Sequence, residues 1–261
     1  MSFANRTTLL CGTDPDPVEV IHPFSAHPVL LICEHAGRAV PQLLNGLGLT
    51  DEERRRHIAW DIGAAEVTRR LAHSIGATAI LQRYSRLVID CNRPPEAPDS
   101  AATLADGLRV PGNENVTSAE RSARQDEIFH PFHDAVTRAL NLNKHRLVLS
   151  LHSFTPVLAG HPRPWEISFL FRDDTETSTR LERITRTQGP DLNIGMNEPY
   201  QVEDASDWFI PKHGEARKLP HSLIEIRNDL ITDAPGQQLW ADRMGTMIAT
   251  YLQEMQNDAD T

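Results

Sequence analysis

Two histidines follow strongly apolar runs. His35 comes after Pro28-Val29-Leu30-Leu31-Ile32-Cys33 and Glu34, and His152 closes Arg146-Leu147-Val148-Leu149-Ser150-Leu151. Runs of this kind mark strands buried on both faces, and open α/β sheets bind ligands outside the carboxyl ends of their strands. Two imidazoles placed there could share one cation. A catalytic zinc takes three nitrogen or oxygen ligands and keeps one position open for water. Asp61 and Glu34 are the carboxylates available to complete the set. No short-range ligand pair accompanies either histidine, so a second reading stays open, in which each is a hydrogen-bonded residue at a strand end.

Two further segments put charge where a strand should be apolar. If Arg86-Leu87-Val88-Ile89-Asp90 is a strand, Arg86, Val88, Asp90 and Asn92 share one face, because side chains alternate with period two. Arg93 follows, and Pro94-Pro95 ends the run. A guanidinium and an amide at a strand end suit capture of a carboxylate. An internal Arg86–Asp90 ion pair with Asn92 capping the turn is the other reading. In Ser222-Leu223-Ile224-Glu225-Ile226-Arg227, Glu225 and Arg227 point the same way. Charges in an apolar strand are costly unless paired or facing a cleft. Near a metal-bound water, Glu225 is suited to act as general base and proton shuttle; a buried Glu225–Arg227 pair is the alternative. His213, in an irregular stretch, is a weaker candidate for the cleft wall, and Gly112-Asn113 reads as a turn.

Composition bounds the rest. The chain has 261 residues, with 26 Lys+Arg against 36 Asp+Glu and a net charge of −10. That balance argues against nucleic acid or an anionic membrane as the main partner. No apolar run is long enough to span a membrane, and the start lacks a secretory pattern, so cytoplasmic residence is expected. Three cysteines with no CxxC pair support neither a disulfide framework nor a thiolate zinc site. Walker, GxGxxG, HExxH and GxSxG motifs are absent, which removes the best evidence for nucleotide binding or serine-esterase chemistry.

The elements that must position these groups alternate. Strands are expected at 28–33, 77–81, 86–90, 146–151, 166–171 and 222–227. Helices are expected from 51 after the Thr50/Glu53 capping box, over 64–75 with Gly76 as its stop, from 117 after the Thr117/Glu120 box, over 176–188, and from Asp233-Pro235 onward. Residues 1–20 read as an irregular lead-in. Residues 94–116 form a long loop, of the kind that often serves as a lid, and 190–215 look irregular. The alternation predicts a single α/β domain across the chain, with a mixed, largely parallel sheet flanked by helices. Connections too short for a crossover helix predict some antiparallel pairing.

In their order along the chain, these residues resemble the N-formylglutamate amidohydrolase family. The resemblance rests on Ile32-Cys33-Glu34-His35-Ala36-Gly37 with Pro41, on Trp60-Asp61-Ile62-Gly63, and on Tyr84-Ser85-Arg86 through Asp90-Cys91-Asn92-Arg93-Pro94. It continues in Pro111-Gly112-Asn113, Leu151-His152-Ser153 and Ile224-Glu225-Ile226-Arg227, and spans about residues 29–232. The family resembles zinc carboxypeptidases and aspartoacylases, which implies a zinc-carboxypeptidase-like fold and one zinc per chain. By that resemblance His35 and His152 bind the metal. Arg86 stabilises an oxyanion, Asn92 and Arg93 hold a substrate carboxylate with Arg227 and His213 as further contacts, and Glu225 activates water. The carboxypeptidase pattern has a glutamate three residues after the first histidine, where this chain has Arg38, so the carboxylate ligand is expected elsewhere. The resemblance implies Asp61, because the family pattern carries an aspartate there, with Glu34 second. The implied reaction is cleavage of the amide of a small N-acyl amino acid, with N-formyl-L-glutamate, giving formate and glutamate, as first choice. A deacylase or peptidase of other specificity and a non-catalytic binding protein are the rivals.

Overall fold

The computed structural model describes residues 8–260. Its elements run β1 (Val18–Ile21), β2 (Val29–Cys33), α1 (Ala64–Ile75), β3 (Thr78–Gln82), a small hairpin of β4 (Leu104–Ala105) and β5 (Leu108–Arg109), α2 (Ser118–Arg124), α3 (His130–Leu142) and β6 (Leu147–Phe154). A second hairpin of β7 (Val157–Leu158) and β8 (His161–Pro162) follows. Then come β9 (Ile167–Leu170), α4 (Thr175–Gln188), β10 (Ile194–Met196), β11 (His221–Arg227) and α5 (Ala234–Ala259). Seven strands make one sheet in the order β1-β3-β2-β6-β11-β9-β10.

The central strands β3, β2, β6 and β11 are parallel, β1 runs against β3, β9 runs against β11, and β10 is parallel to β9. Both faces of the centre are covered, which is why β2 has no polar alternation. Leu31 and Cys33 pack with α1, α4 and α5 residues such as Leu71, Leu181 and Trp240. Leu30 and Ile32 pack on the other face with Phe129, Phe132 and Val136. Complete burial of side chains of this size stabilises by about 1.5–3 kcal/mol each.

Local signals place most of these elements. Gly76 takes φ 68° and its N–H bonds to Ala72 O, ending α1 as a residue with no Cβ can. The Thr117/Glu120 box forms in full and starts α2, which continues through one wider turn into α3. Asp233 caps α5 through its bond from Gly236 N–H.

Several expectations are corrected. The Thr50/Glu53 box also forms, but only a 3-10 turn over Glu53–Arg55 follows it. Residues 86–90 are turns. The Ser85 hydroxyl accepts from Leu87 N–H and donates to Ala59 O, and Asp90 accepts from Asn92 N–H; such bonds compete with a sheet ladder. The lead-in contains β1, and the 190–215 stretch contains β10. The antiparallel partner of β9 is β11, which lies between β9 and β6.

Candidate metal and substrate site

β2, β6 and β11 are neighbours at the centre of the sheet, and their carboxyl ends supply Glu34 and His35, His152, and Glu225. Parallel register sets Glu225 directly beside His152. Asp61 arrives on the loop before α1. Its N–H bonds to His35 O, its carboxylate accepts from Ser153 N–H, and the Ser153 hydroxyl donates to Ile62 O, so the loop is tied to β2's extension and to β6. Gly63 permits this approach: it has φ 82°, and a Cβ there would stand 2.2 Å from Ile231 O.

Three donor atoms converge. His152 Nδ1 lies 3.1 Å from His35 Nδ1 and 2.8 Å from Asp61 Oδ2, and His35 Nδ1 is 3.5 Å from the same oxygen. The opposite ring nitrogens are committed. His35 Nε2 is 2.7 Å from Asp90 Oδ1, and His152 Nε2 is 3.1 Å from Glu34 Oε2 and 2.9 Å from Ser150 Oγ. A carboxylate only accepts, so a neutral His35 carries its proton on Nε2 for Asp90, and a neutral His152, set between Glu34 and Asp61, has one proton for two carboxylates; with that proton on Nε2 both Nδ1 lone pairs face the shared centre. A proton between the rings would satisfy one pair; a divalent cation satisfies both rings and Asp61 together. Orientation of each histidine by an outer carboxylate is the usual support of a metal ligand. Four carboxylates (Glu34, Asp61, Asp90 and Glu225) face two guanidiniums (Arg86 and Arg93), a difference of two negative charges. His35, Asp61 and His152 therefore fit a divalent metal.

The titration directions agree. Burial alone would lower His152 and raise Asp61. The Glu34 and Asp61 charges overcome it and raise His152 well above its usual range, while the imidazoles hold Asp61 far below its own. Asp90 is likewise opposed by burial but held low by Arg86 and His35. Glu225 differs. Burial pushes its carboxyl up to about 7, and its Oε2 has no hydrogen-bond partner.

A cleft of about 490 Å³ opens over these groups, within the range of small-molecule sites. Its walls include Arg86, Asn92, Arg93 and Ser153, and from the segment after β10, Tyr200, Gln201, Glu203, Ser206 and Asp207. Arg86 gives Nε and Nη2 to Asp90, leaving Nη1 3.6 Å from Asp61 Oδ1. Arg93 Nη1 pairs with Asp99 at 3.0 Å, and Asn92 Oδ1 accepts from Phe209 N–H.

Two expected contacts lie elsewhere. Arg227 is the last residue of β11, its side chain bonded to Asp229 and to Pro164 O, and is not in the cleft wall. His213 is buried against His133: His213 Nε2 donates to His133 Nδ1 at 3.0 Å, and His133 Nε2 donates to Cys91 O. Neither residue serves as a wall of the cleft. The 94–116 loop contributes no wall residue either. Asn113 is a buried brace between Leu87 O, Ala102 O and Arg124. Sequence reasoning missed the 200–207 wall, which carries no periodic signal. It also missed Ser150, whose shared parity with His152 in an apolar strand was a usable one.

Fold and site together define an α/β protein of the amide-hydrolase class with a buried histidine–aspartate–histidine cluster that could hold a metal ion. A model of the N-formylglutamate amidohydrolase family matches residues 27–232. The chain belongs to that family, whose members hydrolyse an amide bond. Among solved structures, the gene product Atu2144 from Agrobacterium tumefaciens is 34% identical, with TM-score 0.87 over 95% of this chain and 99% of that one. An N-formylglutamate amidohydrolase from Ralstonia eutropha JMP134 is 20% identical, with TM-score 0.66 over 92% and 99%. A search of curated proteins finds no match. No helix among the described residues is long and apolar enough to cross a membrane.

Proposed function

We propose that this chain is a zinc-dependent amidohydrolase that cleaves the amide of an N-acyl amino acid, a small-molecule reaction of amino-acid metabolism. The observation that carries the reading is the meeting of His35 Nδ1, His152 Nδ1 and Asp61 Oδ2 in a cleft that also holds the unpartnered Oε2 of Glu225. His35, Asp61 and His152 would hold the zinc, which when bound supplies a Lewis acid for the carbonyl and lowers the pKa of water.

The chain's own residues supply the rest. Glu225 takes one proton from the attacking water and passes it to the leaving nitrogen. With a carboxyl near 7, it is suited to both transfers at neutral pH. Water's oxygen bonds to the acyl carbon, the C–N bond breaks, and the products are a carboxylic acid and a free amino acid. Arg86 Nη1, not used by Asp90, is available to the negative charge that develops on the carbonyl oxygen. Arg93 and Asn92 would hold the substrate's α-carboxylate.

N-formyl-L-glutamate is the substrate the family points to and the benchmark for assay. Purified protein should contain about one zinc per chain, lose formate release when chelated and regain it with zinc. A sample that binds no zinc, and releases no acid from any N-acyl amino acid after zinc is added, refutes the reading.

A further inference from the structure

The charges of the cleft wall are unevenly shared between its segments. Its two cations, Arg86 and Arg93, come from the segment after β3 and are both drawn to Asp90, with Arg93 also on Asp99. One substrate carboxylate can be met there. A second, on a glutamate side chain, needs another cation, and the remaining wall offers none. It presents Tyr200, Gln201, Glu203, Ser206 and Asp207. Arg163 is bound to the Tyr200 hydroxyl at 2.9 Å and lies over its ring, and Arg227 is taken by Asp229 and Pro164 O. Neither lines the cleft.

Asp207 takes hydrogen bonds from Asn92 Nδ2 at 3.3 Å, Glu203 N–H and the Ser206 hydroxyl, all neutral donors. Glu203 is exposed, and neither carboxylate forms an ion pair among the described residues. The acids share their cleft with Glu225, only 6% exposed and with Oε2 unpartnered, so they flank a reacting centre and are not an isolated surface cluster.

We propose that the cleft selects N-acyl amino acids with a positively charged side chain, of the lysine or arginine class, over N-acyl glutamate, with Glu203 and Asp207 receiving that charge. The proposal rests on the amidohydrolase reading and deepens it. Asn92 links the two segments, since its amide reaches Asp207 while Arg93, next to it in the chain, would meet the α-carboxylate. A bound amino acid would then lie with its carboxylate on the arginine side and its side chain toward Asp207.

The test uses the zinc-loaded protein with N-formyl derivatives of L-lysine, L-arginine, L-glutamine and L-glutamate. Calorimetric binding of the free amino acids, measured in parallel, gives a readout independent of turnover. Lysine and arginine derivatives should exceed glutamate by at least about tenfold in kcat/KM, with glutamine between, since facing like charges are strongly disfavoured. Glu203→Lys, at an exposed position that should not disturb folding, should lower the lysine value and raise the glutamate value by about fivefold each. Glutamate favoured in turnover or in binding overturns the proposal and leaves the amidohydrolase reading intact, as does a Glu203→Lys variant with unchanged preference. No turnover of any member, with free lysine still bound above glutamate, overturns that reading and keeps the selectivity.

Discussion

Asp61 and Glu34 both approach His152, but from opposite sides of its ring, and this makes a paired substitution decisive. Asp61 Oδ2 is 2.8 Å from Nδ1, where the lone pairs converge, whereas Glu34 Oε2 is 3.1 Å from Nε2 and accepts from Ser150 Oγ at 2.6 Å. Zinc binding worth about 12 kcal/mol, shared among three protein ligands, is about 4 kcal/mol each, so Asp61→Asn should weaken zinc by about a thousandfold. Glu34→Gln removes only the outer support of one ligand and should cost about 10–100-fold. Competition against a chromophoric chelator measures both. Thermal unfolding in excess chelator separates a binding effect from a folding defect. There Asp61→Asn should still fold, because the Asp61 N–H to His35 O and Ser153 hydroxyl to Ile62 O bonds that tie the loop do not use the carboxylate. Glu34→Gln weakening zinc more than Asp61→Asn, or a metal-free Asp61→Asn that fails to fold, would refute the assignment of inner and outer carboxylates.

Other outcomes follow from the same geometry. Glu225→Gln should retain zinc and lower kcat by about 10²–10⁴-fold, checked by metal analysis beside steady-state kinetics. Arg93→Ala should raise KM for an N-acyl amino acid by about tenfold or more with a smaller change in kcat; an unchanged KM removes it from carboxylate binding. Gly63→Ala should lose about 2 kcal/mol or more in denaturant titration, because the new Cβ meets Ile231 O at 2.2 Å in a left-handed backbone. Burial depresses His133 to about 3 and His213 to about 4, so both are neutral in the fold and take up protons on unfolding below about 6.5. Their contribution is complete above that pH and is lost as pH falls toward 4, at up to about 1.4 kcal/mol per pH unit for each group. His213→Gln, which keeps a donor for His133, should make stability fall less steeply over that window.

Much of the scaffold was legible because its causes are local. The apolar runs at 29–33, at 147–151 with Ser150 within it, and at 222–226 with Glu225 within it read as strands covered on both faces, and Gly76, Thr117 and Asp233 end or start helices through bonds within a turn of themselves. The same local logic failed at 86–90, where Leu87-Val88-Ile89 is a short apolar run like that of a strand. Ser85 and Asp90 bond the nearby backbone there, and Arg86 closes back on Asp90 four residues away. The Thr50/Glu53 box formed its bonds and still led only to a short turn, since a cap satisfies donors at a helix start but supplies no apolar face to hold the turns that follow.

From sequence alone came the parts of the centre: two histidines at strand ends, a carboxylate on a loop, and arginine, asparagine and glutamate in a set order. Their relations came only with the tertiary structure. Asp90 meets His35 across 55 positions and Asp61 meets His152 across 91, distances in the chain over which no spacing carries information. Adjacency of β2, β6 and β11 brings the two Nδ1 atoms together, and the choice of Asp61 as inner carboxylate and Glu34 as outer follows from which side of one ring each reaches. The fold likewise put residues of 200–207 in the cleft wall and none of the 94–116 loop expected as a lid, and turned His213 into a buried partner of His133. Residue types decide which chemistry is available, while the direction of each lone pair depends on partners that only folding brings near.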